Sequence, residues 1–152
     1  MQVIARALIF ICINLTLAFN SFATCTASIP TAAFGNFAPF ANTSTPVTIN
    51  MSVTCTGLLG LLLNYSVGFS SGSSGAFTPR QMTNGIKTLN YNLYKDNSRT
   101  QILNLTTIRV TGSFTLVVGS GTNNHTIYAT LPAQPLAQAG SYLDTITATV
   151  TY

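Results

Sequence analysis

Gly140-Ser141-Tyr142-Leu143-Asp144-Thr145-Ile146-Thr147-Ala148-Thr149-Val150-Thr151-Tyr152 is the stretch whose alternation decides the fold class. Tyr142, Ile146, Ala148, Val150 and Tyr152 fall on one face, and Thr145, Thr147, Thr149 and Thr151 fall on the other. Period-two alternation of β-branched and aromatic residues is the pattern of a half-buried strand. Such a strand either closes a sheet within its own chain or waits for a partner. Charges normally blunt an open edge. Here they are scarce, so a waiting edge is a real expectation.

Only 5% of the 152 residues are charged, against about 25% in an ordinary soluble domain. Ser, Thr and Asn supply the polarity, which suits strands and turns and disfavours long helices. The length is that of one domain with a buried core. The net charge of +4 is an excess of six basic residues over two acidic ones. Arg6 lies in the leader described next, and Arg80, Lys87, Lys95, Arg99 and Arg109 are scattered. The pI near 9.2 therefore reflects scarce acids. Without a clustered basic footprint, nucleic acid is not an expected partner.

Residues 1–23 read as a secretory signal peptide. Arg6 supplies the positive start, Ala7 to Ala18 the apolar run, and Ser21-Phe22-Ala23 a small-residue cleavage site. Maturation is expected between Ala23 and Thr24. The run is too short, and too polar at Asn14, Thr16 and Asn20, for a membrane span. The alternative of a lipoprotein acylated at Cys25 fits poorly, because Phe22-Ala23-Thr24 lacks the Leu-x-small pattern. Cleavage removes Cys12 and leaves Cys25 and Cys55, an even pair that reads as one disulfide in an exported chain. A metal or redox pair is the weaker reading, since there is no CxxC and His125 is the only histidine. Closing a loop of about thirty residues stabilises a fold by roughly 3–4 kcal/mol in the chain-entropy model.

The remaining sequence reads as strands and turns. Expected strands are Cys25–Ile29, stopped by Pro30, then Val47–Cys55 with Val47, Ile49, Met51, Val53 and Cys55 on one face. Leu61–Phe69 and Thr88–Lys95 follow, the latter with Leu89, Tyr91 and Leu93 together. Gly112–Val118 and His125–Leu131 are expected to pair as a hairpin around a Gly119–Asn124 turn. Ala33–Phe37 is a brief extended patch, Ser70–Gly75 a loop, and Pro132–Gly140 a connection. Flanking glycines and the alternation that follows make Leu58–Leu63 strand rather than helix. Short strands with turn signals about every ten residues indicate an antiparallel sandwich in a single domain, 24–152.

Certain pieces carry more. They are Cys25, Phe34-Gly35-Asn36-Phe37, Ile49 to Thr54 running into Cys55, Arg80-Gln81-Met82 and Tyr128 to Pro132. The more specific ones are Leu89-Asn90-Tyr91-Asn92-Leu93-Tyr94 with Asp96, and the Gly140-Ser141-Tyr142-Leu143-Asp144-Thr145 ending. In order and spacing this set resembles the spore coat protein U domain family, which includes subunits of archaic, Csu-type chaperone–usher pili. The resemblance implies an all-β fold, an incomplete immunoglobulin-like antiparallel β-sandwich lacking one edge strand, with an apolar groove beside the last strand. It also implies the partners: a periplasmic pilus chaperone that fills the groove, an outer-membrane usher, and other pilus subunits whose N-terminal strand replaces the chaperone. No cofactor and no small-molecule substrate enter this scheme. The expected route runs through the periplasm to a fimbrium at the cell surface, or to secretion, with a part in biofilm and cell adhesion. A mean hydropathy of +0.40 suits a link in a fibre better than a free monomer.

Two departures from the family stand out. Polymerising members carry a donor strand of alternating apolar residues before the first cysteine. With cleavage after Ala23, Thr24 alone would precede Cys25, so a terminal or tip-type subunit is expected, one that accepts a strand and gives none. Between Asp96 and Gly112 the family's tryptophan-glycine turn is replaced by Ile102-Leu103-Asn104-Leu105 in a chain without tryptophan.

Catalysis is not expected. Asp96 and Asp144 are the only carboxylic side chains. Asp144 reads as an acceptor for a neighbouring turn and His125 as a solvated hairpin-tip residue, with no nucleophile–base pair apparent. Gly119-Ser120-Gly121 and Ser71–Gly75 are not phosphate loops, since neither leads into a helix or carries the Lys-Ser/Thr ending. Sequons at Asn42, Asn64, Asn104 and Asn124 are chance matches in so polar a chain. Arg80 is expected to hold a loop through backbone carbonyls, Asp144 or Asp96. Tyr91, Tyr94, Tyr128, Tyr142 and Tyr152 read as core and edge packing, with a sticky tip surface as the sharper alternative.

The expected function is a secreted structural pilus subunit. Its acceptor groove is expected along Ile146, Ala148, Val150 and Tyr152, with Ile49, Met51 and Val53 across it. The alternatives are a tip adhesin whose loops bind a surface or sugar, and a self-contained secreted coat protein.

Overall fold

The computed structural model, described over residues 23–37, 40, 42–58, 62–115 and 119–152, is a sandwich of two antiparallel sheets. In chain order the strands are β1 (Thr24–Ser28), β2 (Thr45–Leu58), β3 (Leu63–Phe69), β4 (Arg80–Asn84), β5 (Lys87–Tyr94), β6 (Val110–Phe114), β7 (Gly119–Leu131) and β8 (Ala148–Thr151). The larger sheet runs β1-β2-β7-β5-β4 and the smaller β6-β3-β8. Among the described residues there is no α-helix, and Gly72–Ser74 forms a 3-10 turn. Of the expected leader, Ala23 alone falls within them.

Alternation builds the core. On β2 the inward set Ile49, Met51, Val53 and Cys55 is buried, and on β3 the set Tyr65, Val67 and Phe69 faces it from the other sheet. Leu89, Tyr91 and Leu93 of β5 and Ile127, Ala129 and Leu131 of β7 complete the interior. The β2–β7 pair is the spine, in register from Thr45↔Leu131 to Thr56↔Ser120, with a shift before Leu58. Gly57 at that shift has φ +80°, a left-handed backbone that favours glycine. Cys25 stands opposite Cys55 in the β1–β2 register, and the two are joined as a disulfide. That bond ties down β1, which has a ladder on one side and would otherwise fray.

Three expectations are corrected. The hairpin between Gly112–Val118 and His125–Leu131 does not form: β6 pairs with β3, and Gly119–Asn124 runs as strand against β2. β2 offers a pairing edge 14 residues long, and β7 follows it for 13. Cross-strand pairing thus extends residues whose own preference is a turn. His125 consequently sits in mid-strand opposite Met51. Residues 116–118 and 59–61 of the expected strands lie outside the described residues. The last strand is shorter than expected, with a ladder over Ala148–Thr151 alone. Ahead of it Leu143 bridges to Thr83 through two backbone hydrogen bonds of 2.8 and 3.0 Å. The inward–outward alternation survives, because the segment stays extended: Tyr142, Asp144, Ile146, Ala148 and Val150 are half-buried while the residues between them are exposed.

β4 was not expected. Its hairpin with β5 turns through Gly85 (φ +60°) and Ile86, with Asn84 opposite Lys87. β5 joins β7 over Asn92–Tyr94 alone, so the rest of the β4–β5 hairpin is not laddered to β7, and Thr83 of β4 instead bridges to Leu143 ahead of β8.

Candidate functional site: an open flank between the sheets

The two flanks of the sandwich differ. At one, β6 lies beside β7, and the sheets are stitched by Asn123 Nδ2 donating to the Ser113 carbonyl (3.0 Å) and by a 2.6 Å hydrogen bond between Tyr65 Oη and His125 Nε2. Phe114 stacks on Tyr65 with centroids 5.3 Å apart. At the other flank β1 lies beside β8, yet no ladder joins them. Each is the last strand of its sheet.

Both facing edges carry a half-buried apolar stripe. From the β1 side come Ala23, Ala27, Ile29, Ala32 and Phe34, and from the β8 side Tyr142, Ile146, Ala148 and Val150. Between the stripes, beside the β4–β5 hairpin, lies a cavity of about 330 Å³. Ile29, Phe34, Ile49, Phe69, Met82, Tyr91, Ile146 and Ala148 are among its walls.

Backbone direction follows from one bond. Thr147 accepts from the Ser70 N–H at 2.9 Å, so its peptide groups face β3. Alternate residues of an extended chain point their N–H and C=O to opposite sides. Ile146, Ala148 and Val150 therefore aim theirs at the open edge, while their side chains turn inward. A row of peptide groups above an apolar stripe is what an added strand needs.

The lead-in to β8 is held by side chains. Asp144 Oδ1 accepts from Ser73 N (2.8 Å) and Thr145 N (2.9 Å), and Oδ2 accepts from the Tyr91 hydroxyl (2.5 Å). Burial, reinforced by the hydrogen bond to Asp144, pushes the Tyr91 hydroxyl far above its ordinary pKa. Arg80 is fully buried and donates from Nε and Nη2 to the Ser70 carbonyl (3.1 and 2.9 Å) and from Nη2 to the Leu103 carbonyl (2.8 Å). Burial lowers its pKa.

The expected groove residues separate. Ile49, Ile146 and Ala148 come together in the cavity. Val150 lies further along the same stripe, half-buried. Tyr152 is 52% exposed, whereas Met51 and Val53 are sealed in the core at 1% and 0%. β2 lies inside its sheet, between β1 and β7, so its middle residues are covered. Sequence reasoning missed Ile29, Phe34, Phe69, Met82, Tyr91, Leu93 and Ile127 as walls. The spacing of Ala27 and Ile29 was a usable signal, since it continues the inward face of β1 past its last ladder pair. Asp96 accepts from the N–H groups of Thr100 and Gln101 and serves its own loop. Among the described residues no group of three His, Cys, Asp or Glu could hold a metal.

A family model described as Spore Coat Protein U domain matches residues 11–149. A search of curated proteins gives no match. Among solved structures, the fold is similar to a chain in the CsuC–CsuE chaperone–tip adhesion subunit pre-assembly complex from the archaic chaperone–usher Csu pili of Acinetobacter baumannii. The TM-score is 0.57 at 20% identity, covering 86% of this chain and 40% of that one. This chain thus spans less than half the length of that relative.

Proposed function

This chain belongs to the spore coat protein U domain family, and from that premise we propose that it is a structural subunit of an archaic chaperone–usher pilus. Its open flank receives an extended strand from a chaperone or a neighbouring subunit. The observation that carries the reading is the pair of facing edges, β1 and β8, each with an inward apolar stripe and no ladder between them. An inserted strand would pair with the free peptide groups of Ile146, Ala148 and Val150 and bury its alternate apolar side chains. The similar structure is a chaperone-bound complex, which supports a chaperone as first partner, with an usher and further subunits after it. Periplasmic co-expression with a pilus chaperone tests the reading. Co-purification is expected, and a monodisperse monomer made without any chaperone would overturn it.

Export through the leader 1–23 belongs to the same proposal. A mature chain starting at Thr24 accepts a strand and gives none, which is the place of a terminal subunit. N-terminal sequencing of the exported protein decides this. A start about ten or more residues upstream of Cys25, enough for a strand, removes the terminal assignment.

One observation favours an adhesive tip as the second reading. Ile86, at the β4–β5 turn, and Leu136 are 100% and 93% exposed. The loop bearing Leu136 is fastened to the hairpin by Gln134, which bonds both backbone groups of Asn90. Binding of the strand-complemented protein to an apolar surface, lost in Ile86→Ser/Leu136→Ser, would mark that role.

A further inference from the structure

We propose that Tyr91, Asp144 and Arg80 are positioning residues for strand capture, holding the lead-in Asp144–Thr147 splayed and ordered as a preset wall of the groove. This rests on the groove reading above. Residues 144–147 line or border the cavity but belong to no ladder. Two side-chain anchors hold them instead.

The first anchor is the Asp144 carboxylate, which gathers the Tyr91 hydroxyl from β5 and the Ser73 amide from the turn after β3. It fits only because residue 72 is glycine. A Cβ there would lie 2.1 Å from Asp144 Oδ2, and Gly72 also has φ +72°. The second anchor is indirect. Arg80 occupies the Ser70 carbonyl, so the Thr147 N–H cannot complete a regular ladder pair with it and bonds Ser70 Oγ at 2.9 Å. The β3–β8 ladder therefore stops at Phe69↔Ala148. The chain ahead of it stands away from β3, and the cavity stays open. Ile146, between the anchors, keeps its peptide groups toward the open edge. A wall ordered in advance spares capture the entropy of ordering it.

The test compares wild type with Tyr91→Phe, which removes one hydroxyl and keeps the ring. The probe is a synthetic peptide alternating Val and Thr, about ten residues long. Amide exchange at Thr145 and Thr147 is measured in the free protein, and peptide association and dissociation rates are measured separately. Losing a bond to a charged acceptor is expected to speed exchange and slow association by about tenfold. Dissociation should stay unchanged, because the inserted strand then holds the wall itself. A variant that unfolds more easily but exchanges and associates like wild type overturns the proposal, since Tyr91 would then be structural only. Wild-type protein that captures no peptide overturns the groove reading and this proposal together. Should Tyr91→Phe fail to fold, Asp144→Asn carries the same measurements.

Discussion

Replacing Arg80 by methionine keeps most of the side chain's bulk and removes every hydrogen bond it donates. Three of those bonds are short: 2.8 Å to the Leu103 carbonyl, and 2.9 and 3.1 Å to the Ser70 carbonyl. At about 1.5 kcal/mol for each charge-assisted bond, the gross loss is about 4–5 kcal/mol. Two effects reduce it. The buried guanidinium no longer needs desolvating, and the freed Ser70 carbonyl can take the Thr147 N–H that now bonds its hydroxyl. The Leu103 carbonyl has no such substitute, since Leu103 is fully buried and its own N–H is committed to Leu93. A net loss of about 3 kcal/mol is expected. Urea unfolding read from the midpoint at constant slope measures it. Arg80→Lys should be no better, because one ammonium cannot span both carbonyls and still brings a charge inside. A loss under about 1 kcal/mol for Arg80→Met, or full stability for Arg80→Lys, would refute this account of the buried arginine.

Ile146→Asp or Val150→Asp puts an unpaired carboxylate on the inward stripe of the open edge, so chaperone co-purification should be abolished, and unchanged co-purification would count against the groove. Reducing the Cys25–Cys55 bond releases a loop of 30 residues, and a loss of roughly 3–4 kcal/mol is expected by chemical unfolding. Burial lowers the His125 pKa below its ordinary 6.5. The unfolded chain therefore binds more protons just below that value, and this contribution to stability is full above pH 6.5 and falls as the pH drops through it. Unfolding midpoints across that window should flatten in His125→Gln; an unchanged slope would remove His125 as the cause.

Much of the fold was legible where apolar residues alternate. β2 and β5 could be read directly, because Ile49-Met51-Val53 and Leu89-Tyr91-Leu93 are inward faces in the sequence and in the sandwich. The first half of β7, Gly-Ser-Gly-Thr-Asn-Asn, was illegible: its extension comes from pairing with β2, and its own residues favour a turn. β4 has Arg80 and Met82 as its inward residues, so no apolar period marks it, although Asn84-Gly85 was a hairpin signal. Leu103 is wholly buried where the family's turn was missing, with its loop strapped to β5 and β3 through Leu93 and Phe69. Backbone bonds of that kind leave no trace in residue type. The groove was half legible for the same reason. Ile146 and Ala148 declared themselves by period, whereas Ile29, Phe34 and Met82 reach the cavity through a loop and a hairpin.

Amide exchange at the outward edge of β8 tests the central claim most directly. In the isolated protein the Ile146, Ala148 and Val150 amides should exchange far faster than those of Thr147 and Thr149, whose N–H groups face β3. Addition of the alternating peptide or of a pilus chaperone should then protect them. Equal protection of both sets in the isolated protein would mean that the chain fills its own flank, and would contradict the account.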